Sequence, residues 1–255
     1  MSDLLNSFKK NNVSKSLAFT LAEVLITLAV IGVIAAMTIP TMVANYQKTQ
    51  YVTQLKKAYT ELSQALQQMM VDEGVEKVSA TDVLTHDGVE DYDTAIQRAG
   101  NQFLKKYFKI AKDCGTDSGQ FCFAQDYYSI DKIDGPYDLN TWGVYRVITA
   151  YGIGIAIQCA TQGSPGKIFV DINGLQKPNI AGRDLFCMSF YYDGTLDVVT
   201  PECKKGLPTM GEPVCKGAED AFQLRNDRAE DNIRSFSGYG SGFGKILNDN
   251  WKMDY

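Results

Sequence analysis

One histidine in 255 residues, His86, leaves little room for imidazole chemistry. No serine or cysteine motif accompanies it, and it reads as a surface loop residue beside Asp87. The chain contains no His-Glu-x-x-His, no Gly-x-Ser-x-Gly and no phosphate-cradling glycine loop, so the common signatures of metalloprotease, esterase and nucleotide chemistry are missing. There is no basic excess either. The formal net charge is -5 and the isoelectric point about 5.0, which argues against a phosphate-binding surface, and no nucleic-acid partner is expected. Cysteine is absent from the first 113 residues. The six that exist, Cys114, Cys122, Cys159, Cys187, Cys203 and Cys215, all lie within the last 142 residues. None is spaced two to four residues from another, as a zinc knuckle would need. An even, clustered set of this kind suggests disulfides formed outside the cytoplasm. Six cysteines allow many pairings; nearness in sequence alone favours Cys114 with Cys122, Cys159 with Cys187 and Cys203 with Cys215.

What is present is concentrated near the N-terminus. From Leu17 to Ile39 the only charged residue is Glu23. A helix of that length spans ~35 Å, enough to cross a hydrocarbon layer of ~30 Å. Lys9, Lys10 and Lys15 precede it, so the positive-inside rule puts residues 1–18 in the cytoplasm and everything after Pro40 outside. A cleaved secretory signal would have a shorter apolar run ending at small residues. Here the run ends at Thr38-Ile39-Pro40. An uncleaved anchor explains the length and orientation but supplies no partner for Glu23, an acidic group costing about 2.5–3.5 kcal/mol at the centre of a span. Cleavage between Ala18 and Phe19 would supply one: the new α-amino group of Phe19, in the same apolar layer and best placed on a neighbouring copy.

These residues resemble the N-terminal signal of type IV pilins and type II secretion pseudopilins. The resemblance rests on Lys15, Ala18, Phe19-Thr20-Leu21 and Glu23, followed by the apolar run, with Gly32 and Pro40 where many pilins carry a helix-loosening Gly and Pro. Ala18 stands where the family usually has Gly. The resemblance implies cleavage after Ala18 by a prepilin peptidase, N-methylation of Phe19, and assembly through Glu23 and Pro40. It implies a single-pass inner-membrane precursor with its head in the periplasm or outside, later incorporated into a pilus or pseudopilus. Partners would be other copies or related pilins, the peptidase, an inner-membrane assembly platform and membrane lipid.

Beyond Pro40 the positions Met42, Tyr46, Thr49, Val52, Leu55, Tyr59, Leu62, Leu66 and Met69 recur every three or four residues, a helical stripe that predicts one helix continuing to Val71. Proline should kink or locally melt that helix rather than end it. A second helix is expected over Asp91–Lys112. Strands are expected over Val144–Ala150, Ile153–Cys159, Lys167–Ile172, Phe186–Tyr192 and Thr195–Val199. Tyr151-Gly152 and Asp193-Gly194 are the expected turns, the latter a pair that favours the type I′ hairpin. The fold class is therefore α+β and pilin-like: a long N-terminal helix packed on an antiparallel sheet. Its expected parts are a leader (1–18), a transmembrane and polymerisation helix (19–40), an amphipathic helix (41–71), a globular head (72–199) and a disulfide-stapled C-terminal region (200–255).

Asp171, Asn173, Asn179 and Asp184 put four oxygen-bearing side chains in one loop, suited to a hard cation such as calcium, which some pseudopilins bind in such a loop. Turn formation by Asn-Gly and Pro-Asn is the simpler explanation, and no cofactor is expected. Two functions compete with a filament subunit: a monomeric, membrane-anchored extracellular binding protein, and a secreted hydrolase lacking any visible catalytic constellation.

Overall fold

The computed structural model describes residues 19–86, 90–133, 135–161, 166–191, 193–198, 223, 225–226 and 242–255. Compactness divides the chain into two units, Met1–Tyr46 and Gln47–Tyr255. Helix α1, Leu21–Glu73, has Pro40 inside it, so the proline neither ends nor melts the helix. Thr38 and Thr41 donate their hydroxyls to the carbonyls of Ile34 and Thr38 on either side of it.

In the second unit, α1 buries Val52, Leu55, Leu62, Leu66 and Met69 of the anticipated stripe, together with Ala58, Ala65 and Met70, whereas Met42 and Tyr46, also expected in it, are exposed. The buried residues join the main core with one face of an antiparallel sheet. The sheet runs β2 (Ile110–Gly115), β3 (Tyr145–Thr149), β4 (Gly154–Gln158), β6 (Gly166–Asp171), β7 (Leu185–Phe190) and β8 (Leu196–Asp197), each antiparallel to its neighbour. A small parallel pair, β1 (Thr85–His86) with β5 (Ala160–Thr161), stands apart from it.

Alternation explains how the sheet is buried. Val147, Ile155, Ile157, Ile168, Val170, Phe186 and Met188 point to the α1 side, whereas Ala156, Phe169 and Cys187 point to the other. That second face is covered as well. Phe123, Tyr127 and Leu139, from the segment between β2 and β3, close over it, and Trp142 meets Phe169 edge-on at 5.5 Å. All six residues of β7 are buried in consequence.

Two expectations need correction. The second helix does not reach Lys112: α2 (Tyr92–Ala99) passes through a wide π turn (Gly100–Leu104) into a short α3 (Lys105–Tyr107), and Phe108 is already extended. Residues 110–115 instead pair with β3 as a bulged edge strand. The turn at Asp193-Gly194 is not type I′, which needs positive φ at both central residues. Only Gly194 takes a positive φ of 78°, at the fourth position of a turn closed by its N–H on the Tyr191 carbonyl. Gly152 does the same after Thr149.

Candidate functional site

Residues 19–46 form the most unusual surface. Leu21, Leu25, Ile26, Leu28, Val30, Ile31, Val33, Ile34, Met37 and Ile39 are all exposed, and the most apolar window of α1 contains no buried residue. One helix is thus long and apolar enough to cross a membrane. A water-facing apolar surface of this length is not tolerated by a soluble monomer.

Glu23 sits at the start of that surface and is engaged within its own chain. Its Oε2 accepts hydrogen bonds from the Thr20 backbone N–H and hydroxyl, each at 2.8 Å, while the Glu23 N–H donates to Thr20 Oγ1 at 3.2 Å. This reciprocal pattern is a capping box, in which an N-terminal Thr and a Glu three residues on satisfy two helix-start donors. Sequence reasoning treated the carboxylate only as a buried charge; the Thr20-x-x-Glu23 spacing was the available signal. Phe19 is exposed, and Ala18 lies outside the described residues.

The oxygen-rich loop does gather. Asp184 accepts from the Ile180 and Asn179 N–H groups at 2.6 and 2.8 Å and from Asn173 Nδ2 at 3.2 Å. Asp171 accepts from the Tyr127 hydroxyl and, at 3.1 Å, from the Asn173 N–H. Asn179 Nδ2 donates to Asp126 at 2.7 Å. Both aspartates are fully buried, and burial raises both carboxyls above their usual range. Their oxygens are committed to N–H and O–H donors, and no group of three or more acidic, His or Cys side chains among the described residues is placed to hold a metal. The side-chain oxygens of Asn173 and Asn179, by contrast, are buried without a hydrogen-bond partner. The aspartate oxygens and the Asn179 amide N–H serve the loop's own turns and its anchoring to Tyr127 and Asp126, partners that nothing in the spacing of residues 171–184 announced.

The cysteines divide. Cys114 and Cys122 form a disulfide with Cα atoms 6.0 Å apart. The expected Cys159–Cys187 bridge is absent, and both are buried free thiols. Cys159 belongs to the core beneath α1 and Cys187 to the opposite side of the sheet. Cys159 directly follows β4, and β6 runs between β4 and the β7 that carries Cys187, so two inter-strand spacings, ~10 Å, exceed the ~7 Å that a disulfide can span. Cys203 and Cys215 lie outside the described residues. His86 is not a loop residue: it is half-buried in β1, with Nε2 2.8 Å from the Glu90 carbonyl and its ring edge-on to Tyr92.

No protein-family model, curated protein or solved structure matches this chain. At the resolution of class, it is an α+β protein with a long apolar N-terminal helix and an antiparallel sheet.

Proposed function

We propose that this chain is a structural subunit of a type IV pilus, type II secretion or related filament, cut after Ala18, N-methylated on Phe19 and polymerised through its N-terminal helix. The observation that carries the reading is the exposed apolar segment beginning Phe19-Thr20-Leu21-Ala22-Glu23, a surface suited to lipid first and to other helices afterwards. A filament built from such segments replaces lipid by neighbouring copies without unfolding the head. The Lys15 to Glu23 pattern supports cleavage on the cytoplasmic side, with the apolar run retained.

The capping box sharpens the test between this function and a monomeric membrane-anchored binding protein. Glutamine at the third helical position caps as glutamate does, so Glu23→Gln keeps the local bonds with Thr20 and removes only the charge. If the carboxylate pairs with a neighbour's α-amino group, Glu23→Gln loses filament assembly while inserting and folding normally. Sheared-filament yield and membrane content measured together decide it. Wild-type filament yield from Glu23→Gln would leave Glu23 a helix cap and favour the anchor.

A further inference from the structure

A groove of about 770 Å³ opens on the head between the last turns of α1, the α3–β2 link and the β3–β4 turn. Its size falls within the range of small-ligand sites. Along α1 it is lined by Glu61, Gln64 and Gln68, spaced at three and four so that one helical face supplies them, with Ser63 and Gln67 beside them. Tyr107 and Phe108 form the opposite wall with Lys109, and Tyr151 closes one end.

The walls are held before any ligand arrives. Asp72 ties α1 to the far wall, accepting from Gln68 at 2.7 Å and the Tyr107 hydroxyl at 2.8 Å while it pairs with Lys106 at 3.0 Å. Phe103 packs under both Tyr107 and Phe108, at 5.7 and 6.0 Å between ring centroids. Lys57 Nζ lies 3.5 Å from the centroid of the Tyr151 ring and also pairs with Glu61, and Tyr151 remains 62% exposed.

The lining chemistry selects among ligand classes. Glu61 and Lys109 are opposite in sign, so the groove favours neither an anion nor a cation. Side-chain amides and hydroxyls present donors and acceptors together, and aromatic faces accept apolar C–H surfaces. An extended peptide would seek free strand backbone; at this end of the groove the Lys109 carbonyl is taken by the Ala150 N–H at 2.8 Å and the Thr149 carbonyl by the Gly152 N–H at 2.9 Å, and edge strand β2 begins only beyond the lining residues, at Ile110. A neutral saccharide needs no strand edge: its hydroxyls both donate and accept, and its ring faces are apolar.

We propose that this groove binds a short neutral oligosaccharide, with Gln64 hydrogen-bonding its hydroxyls and the exposed ring of Tyr151 stacking on a sugar ring, while Gln67 is held by the Asp193 carbonyl at 3.4 Å. The site is independent of how the N-terminal helix assembles. Full-length protein in lipid nanodiscs is titrated calorimetrically with maltotriose, cellotriose, triacetylchitotriose and, as the peptide alternative, trialanine. At least one trisaccharide is expected to bind saturably with a Kd of about 1 mM or tighter. Tyr151→Ala and Gln64→Leu should each weaken it about tenfold or more, with the thermal midpoint unchanged because both side chains are exposed. Should Tyr151→Ala lower the midpoint, Gln64→Leu alone carries the comparison. Absence of saturable binding by all three sugars, equal binding by both variants, or preference for trialanine would overturn the assignment.

Discussion

The two parts of helix α1 use apolar residues in opposite ways. In the second unit, Leu55, Leu62 and Leu66 are completely buried beneath the sheet, whereas Leu25, Ile31 and Ile34 in the first are each more than half exposed. One stripe has its partner within the chain; the other surface is apolar on every side and stays exposed among the described residues. Burial of the first kind is a stability device, and exposure of the second kind is a demand on the surroundings. Helices hydrophobic on every side belong to large cores or membranes.

That contrast predicts that substitutions in the two segments change different properties. The largest expected effect comes from the exposed part. Arginines at Ile31 and Ile34 cost about 2.5–3.5 kcal/mol each near the middle of a span, so the double variant should move from the alkaline-washed membrane pellet to the supernatant. Its head should keep the wild-type unfolding midpoint. Retention in the pellet would break the comparison.

Leu62→Ala should do the reverse. Removing a fully buried leucine from the core beneath the sheet costs about 2–5 kcal/mol, read as a lower denaturant midpoint, without altering membrane retention.

Next in size is the disulfide. Closing the short loop between Cys114 and Cys122 restricts the unfolded chain by about 2–3 kcal/mol, so Cys114→Ala should lower stability by that order. Cys187→Ala should cost less, since it removes one buried sulfur and no crosslink. Burial pushes the Cys159 and Cys187 thiols up to about 12, so both should resist alkylation until the head is unfolded.

Much of the head could be read from its residues. Strands β3, β4, β6 and β7 were found because runs of Ile, Val, Phe and Tyr lie between glycine-bearing turns, and the α1 stripe because its spacing matches a helix. Edge strand β2 was hidden: Lys105, Lys106, Lys109 and Lys112 interrupt the apolar pattern, and the helical spacing of Phe103, Leu104 and Tyr107 seemed to run on. The β1–β5 pair joins residues more than seventy positions apart, beyond any local signal. Nearness in sequence misled the Cys159–Cys187 pairing because strand alternation sends the two sulfurs to opposite sides of the sheet. The four oxygen-bearing residues at 171–184 were correctly grouped, but the donors that occupy them come from backbone amides and from Tyr127, which composition cannot reveal.

The buried carboxylates give a smaller effect, carried by pH. Burial raises Asp171 above its usual range, so the folded head binds more protons than the unfolded chain across that interval. Stability from this group is therefore greatest at acid pH and falls as pH rises above the unfolded value of about 4. Asp171→Asn should flatten the change in unfolding midpoint between about pH 4 and 8; a profile as steep as wild type would exclude Asp171 as its source.

The smallest effect concerns the helix start. Thr20→Val removes the capping hydroxyl and should cost about 0.5–2 kcal/mol of local helix stability, visible as faster amide exchange at Leu21–Val24 and not in the head.

In the proposed filament, the exposed apolar helix becomes the core once a protease has created its positive end. Intact-mass measurement of the protein extracted from membranes and from sheared filaments tests it most directly. The account predicts a chain beginning at Phe19 and carrying one added methyl group; a mass retaining residues 1–18 in both fractions would contradict it.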